Sequence, residues 1–72
     1  MNTIIEFRNA AGEVTYADLI REANVTEDVR SLKVGESYPR PKDGLSYEII
    51  EIVDDHDDHF IVVRDEPVAK VD

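Results

Sequence analysis

The sequence contains no cysteine, so neither a disulfide nor a thiolate-bound metal can staple the fold. Catalysis by a cysteine nucleophile is excluded with it. The serines, Ser31, Ser37 and Ser46, lie in no nucleophile-elbow pattern, because Gly35-Glu36-Ser37 lacks the second flanking glycine. Glycine occurs only three times, each alone, which leaves no glycine-rich phosphate loop. No apolar run approaches the roughly 20 residues that span a bilayer. Met1-Asn2-Thr3-Ile4-Ile5-Glu6 has no basic region ahead of an apolar stretch, so no signal peptide is expected and a cytoplasmic location is. Basic residues are also scarce, at 8 against 17 acids, for a net charge of -9. Direct binding of nucleic acid or of an anionic membrane is therefore not expected, since neutralising phosphates requires Lys and Arg.

A chain of 72 residues is expected to form one small domain, 1–72, near the lower size limit for independent folding. The stretch Leu45–Arg64 supplies much of its apolar material. Two runs rich in β-branched and aromatic residues, Leu45–Val53 and His59–Arg64, flank the polar segment Asp54-Asp55-His56-Asp57-Asp58, as in a β-hairpin. Leu45, Tyr47 and Ile49 alternate in one phase, and Ile50 and Ile52 take the other. That break predicts a β-bulge at Ile49-Ile50.

Thr3–Arg8 reads as a first strand, closed by a turn at Asn9–Gly12. In Val14–Ala23, the residues Tyr16, Leu19, Ile20 and Ala23 fall at i, i+3, i+4 and i+7, which predicts a short helix; alternation of Val14 and Tyr16 supports a competing strand. Thr26 ahead of Glu27-Asp28 predicts a further helical turn or two. Gly35–Gly44, with Pro39 and Pro41, reads as a stiff, extended connection. The expected fold class is α+β. It comprises a small, curled, mainly antiparallel sheet, in the manner of an SH3-like barrel, with one short helix after the first strand. The expected core is Ile5, Phe7, Leu19, Ile20, Leu32, Val34, Leu45, Tyr47, Ile50, Ile52, Ile61 and Val63.

Charge is segregated along the chain. Glu48–Glu66 holds eight acids and one base, whereas Arg30–Lys42 holds four bases and one acid. The first segment suggests a non-enzymatic acidic module that binds a protein with a basic surface through Glu51, Asp54, Asp55, Asp57, Asp58 and Asp65. Carboxylates on a two-stranded arm can imitate the phosphates of nucleic acid. Small phage and mobile-element inhibitors of nucleic-acid-handling proteins share this size, acidity and lack of cysteine, an analogy at the level of class alone. The second segment suggests an alternative, a dimeric binder of a small anionic ligand such as a nucleotide second messenger. Tyr38 would stack on the ligand, and Arg40 with Lys42 would clamp phosphate. Charge asymmetry also admits a homodimer. Asp and His at the hairpin tip are residue types that hold divalent cations, but the spacing departs from an EF-hand loop and an exposed tip offers no supporting shell. No metal, cofactor or catalytic residue is assigned.

Overall fold

In a computed structural model, residues 1–68 are described; the C-terminal segment 68–72, whose sequence suggests a short edge strand or a frayed end, lies almost wholly outside them. Five strands follow in chain order: β1 (Asn2–Arg8), β2 (Val14–Ile20), β3 (Ser37–Pro39), β4 (Ser46–Asp54) and β5 (Asp58–Pro67). A 3₁₀ turn, Glu22–Asn24, and a single-turn helix α1, Glu27–Arg30, lie between β2 and β3. The strands form one mixed sheet in the order β2-β1-β5-β4-β3, with β1 and β5 parallel and the other neighbours antiparallel. The sheet curls into a half-barrel. No helix among the described residues is long and apolar enough to cross a membrane.

Alternation builds the core from β1, where Thr3, Ile5 and Phe7 are buried and the residues between them are half-exposed. Strand β5 lies between β1 and β4 in the middle of the sheet and carries a continuous buried run, Ile61-Val62-Val63. Ile61 and Val63 join Ile5, Phe7, Tyr38, Tyr47 and Ile49 in the core cluster. Val62 points the other way and is covered between its register neighbours, Glu6 and Glu51.

The helix expected over Val14–Ala23 is not formed; the segment is β2, paired with β1 from Thr3↔Ile20 to Arg8↔Val14. Local preference and tertiary pairing agree here against the 3.6-residue pattern. Val14, Thr15, Tyr16 and Ile20 are good strand formers, and the short Asn9–Gly12 turn returns the chain directly along β1. Gly12 sits at φ 83°, a left-handed conformation that glycine adopts without a Cβ clash. The Asn9 side chain accepts hydrogen bonds from the backbone N–H groups of Ala11 and Glu13, completing the turn. As a strand, β2 turns Tyr16, Asp18 and Ile20 to the same face as the buried side of β1 and leaves Leu19 on the other, 57% exposed.

The predicted bulge is present. Between Ile49↔Val63 and Glu51↔Val62, two steps on β4 oppose one on β5. The bulge keeps Ile49 in the core and turns Ile50 outward, the reverse of the expected assignment. Val34 and Leu45 are likewise exposed, and Ile20, Leu32 and Ile52 pack only partly against the core. The expected helical turn after Thr26 is α1; the Thr26 hydroxyl caps it by accepting the Val29 backbone N–H.

Candidate functional site

Two charged constellations emerge, at opposite ends of the logic set by charge along the chain. The first is the β4–β5 hairpin tip. Asp54 pairs with His59 as the last rung of the ladder, and the Asp55 N–H donates to the Asp58 carbonyl at 2.8 Å, closing the turn. The Asp55 carboxylate accepts the His56 backbone N–H, and Asp54 contacts the His59 ring Nδ1. Asp54, Asp55 and Asp57 are exposed, whereas Asp58 is half-buried where β5 begins beside Asn2. Among the described residues, Asp55, Asp57 and Asp58 form no ion pair with any cationic side chain. The tip therefore presents concentrated negative charge with little internal compensation. Among the described residues no group of three or more His, Asp or Glu side chains is arranged to hold a metal.

The hairpin separates acids that sequence proximity had grouped. Glu51 projects from β4, three residues before Asp54, on the face that carries Val62. Asp65 lies seven residues beyond Asp58 on β5, about 23 Å away at the usual strand rise. There it accepts a hydrogen bond from the Thr15 hydroxyl of β2. The contiguous acidic patch therefore comprises Asp54, Asp55, Asp57 and Asp58, with Glu51 at its margin and Asp65 outside it.

The second constellation forms around Arg40, which directly follows β3. Its guanidinium donates two hydrogen bonds to Asp18 of β2, from Nε at 2.9 Å and from Nη2 at 3.3 Å, and a third to Asp43 at 3.3 Å. The same guanidinium carbon lies 4.8 Å from the Phe7 ring centroid and 4.7 Å from that of Tyr16. Phe7 meets Tyr16 and Tyr47 edge-to-face, with ring centroids 5.8 and 5.0 Å away. Lys42 Nζ donates to the Tyr16 hydroxyl at 3.2 Å, and the Tyr47 hydroxyl donates to Asp43. Strands β2 and β3 terminate the sheet, so these contacts clasp its two ends together without a backbone ladder between them.

The clasp has a definite electrostatic signature. Hydrogen bonding to Asp18 raises the Arg40 pKa above the ordinary arginine value, with Tyr47 and Asp43 acting in the same sense. Hydrogen bonds from the Tyr47 hydroxyl and the Leu45 N–H, then from Arg40, hold the Asp43 carboxyl below its usual range. The Tyr47 phenol is pushed up, chiefly by its bond to Asp43. Burial raises the pKa of Tyr38, whose side chain belongs to the core at 3% exposure.

The residues of the suggested anion site thus have internal partners. Tyr38 packs in the core, Arg40 is held by Asp18 and Asp43, and Lys42 is held by Tyr16. Sequence reasoning missed Asp18, Asp43 and Tyr16 as the counterparts of these cations. The Asp-Gly turn signal at Asp43-Gly44 marked one of them by position, but reading Val14–Ala23 as a helix hid the other two. Comparison with protein-family models, with curated proteins and with solved structures found no match to this chain, so its functional reading rests on this geometry.

Proposed function

We propose that the chain is a non-enzymatic acidic protein-binding module whose hairpin tip engages a basic surface on a partner protein. One observation carries this reading: Asp54, Asp55 and Asp57 project from the end of a two-stranded arm, while Arg40 of the middle segment is held by Asp18 and Asp43 and Lys42 donates to the Tyr16 hydroxyl. A rigid carboxylate array on a chain of net charge -9 suits electrostatically steered association with a cationic groove. A nucleic-acid-handling protein has such a groove, and occupying it would inhibit that protein in the manner of a phosphate mimic. A cytoplasmic location belongs to the same proposal.

Paired affinity capture from the native host's lysate tests it, with wild type and an Asp54, Asp55, Asp57, Asp58→Asn variant as baits. The expected result is a basic protein retained by the wild type and lost by the variant, with both baits equally folded. Equal capture by both baits would place the interface elsewhere on the molecule and overturn the assignment of the tip.

A further inference from the structure

The outer face of the sheet, opposite the one that carries Ile5 and Ile61, bears an apolar row. Strand register sets Leu19 of β2 beside Ile4 of β1, Ile4 beside Phe60 of β5, and Phe60 beside Val53 of β4. In-register neighbours share a face, so four large apolar side chains stand abreast on four adjacent strands. Leu19 and Val53, at the ends of the row, are 57 and 42% exposed, and Ile4 and Phe60 between them are half-buried. The core does not need this row. Val29 and Leu32, from the segment between β2 and β3, pack instead against the core cluster on the inner face.

Carboxylates border the row on both sides. Toward the tip, Asp58 precedes Phe60 by two residues on β5, and Asp55 follows Val53 by two at the turn. On the other side the next row reads Ala17, Glu6, Val62 and Glu51. Asp55, Asp58 and Glu51 form no ion pair among the described residues. The cations of this face, Arg8 and Arg64, stand one step further away and are engaged, Arg8 by Glu6 at 2.8 Å and Arg64 by the Asn9 carbonyl at 3.3 Å.

Resting on the acidic-tip reading, we propose that this row seats a basic amphipathic helix of the partner protein. Its apolar stripe lies on Leu19, Ile4, Phe60 and Val53, and its flanking Lys or Arg residues meet Asp55 and Asp58 on one side and Glu51 on the other. The row crosses three strand spacings, about 14 Å, which matches nearly three turns of helix. A basic amphipathic helix carries the complementary order of charge, apolar stripe and charge. A second copy of this chain does not. With acids on both borders, laying the rows of two copies along one another sets acid against acid, on chains of net charge -9.

Two synthetic peptides of about 12 residues test the seat. Both contain only Leu and Lys in the same numbers; one places its leucines on a single helical face and the other scatters them. Fluorescence anisotropy gives affinity, and circular dichroism gives the helix formed on binding. Wild type is expected to bind the patterned peptide about tenfold more tightly than the scattered one, with a gain of helicity. A Leu19→Thr, Val53→Thr double variant, changed only at exposed positions and with strand-forming residues, is expected to lose that preference while still binding both peptides through charge. An unchanged thermal unfolding curve verifies its fold. The Asp54, Asp55, Asp57, Asp58→Asn variant is expected to bind both peptides more weakly yet keep the preference. Equal binding of the two peptides by wild type, or a preference that survives in the double variant, would overturn the seat and leave the acidic-tip reading standing. A preference lost in the double variant, with the Asn variant binding like wild type, would uphold the row and overturn the tip.

Discussion

Replacing Arg40 with Ala removes, in one step, the side chain that joins the two ends of the sheet. Three hydrogen bonds to Asp18 and Asp43 disappear, together with a guanidinium seated over the rings of Phe7 and Tyr16. The Arg40 side chain is 13% exposed and that of Asp18 22%, so the pair lies between a solvent-screened surface bridge and a buried one. Exposed pairs contribute up to about 1 kcal/mol, and removing one partner of a buried pair costs about 3–5 kcal/mol. Partial burial together with lost cation–π contact places the expected loss at about 2–3 kcal/mol. At roughly 0.1 kcal/mol per residue, a domain of this length has about 7 kcal/mol of stability, so the variant should fold but with a third or so of its margin gone. In urea, at a slope of about 1 kcal/mol/M, the midpoint should fall by about 2–3 M. A double-mutant cycle with Asp18→Ala should show coupling, because the two residues share the same bonds. Arg40→Lys should recover little of the loss, since a lysine cannot reproduce the two-pronged contact with Asp18 or the flat stacking between rings. An Arg40→Ala protein within 0.5 kcal/mol of wild type, a margin typical of surface substitutions, would refute the idea that this clasp holds the half-barrel closed.

The remaining expectations concern acid, the core and the first turn. Asp43 is depressed in the folded state, so its contribution is fully present above the unfolded carboxylate value of about 3.9 and is lost as pH falls through the lower folded value. Chemical denaturation at pH 6 and pH 3 should show a smaller acid-induced loss for Asp43→Asn than for wild type. Ile61→Ala should cost about 2–5 kcal/mol, because Ile61 is fully buried, whereas Leu19→Ala should change stability by less than about 0.5 kcal/mol. Equal losses at the two positions would contradict the strand phase of β2. Gly12→Ala should cost about 1–2 kcal/mol from backbone strain alone, since a Cβ at that position meets no atom within 4 Å.

The hairpin was the most legible part of the molecule, because β-branched runs flanking Asp54–Asp58 encode strands and a turn locally. Its bulge was legible for the same reason, as a break in a period of two between Ile49 and Ile50. Which side of the bulge enters the core was not, because that depends on the register with Val62 and Val63, a long-range pairing. Likewise, β2 satisfies both a helical and an extended pattern, and its choice is made by β1 across a short turn. That misreading propagated to the site. As a helix, Val14–Ala23 would not obviously set Tyr16 and Asp18 beside Lys42 and Arg40, so the cations of the middle segment looked available for a ligand. The acidic tip escaped this error because its charge is local and its geometry follows from the hairpin alone. Asp65 did not, since the length of β5 carries it to the far end of the strand.

The central claim is that negative charge at the hairpin tip, rather than the shape of the half-barrel, drives recognition. The most direct measurement is the affinity of the captured basic partner for wild type and for the Asp54, Asp55, Asp57, Asp58→Asn protein, titrated by calorimetry across a range of salt concentrations. The expected outcome is wild-type binding that weakens steeply as salt rises, with the variant at least about tenfold weaker at low salt and nearly insensitive to it. Equal affinities and equal salt dependence for the two proteins would contradict the claim.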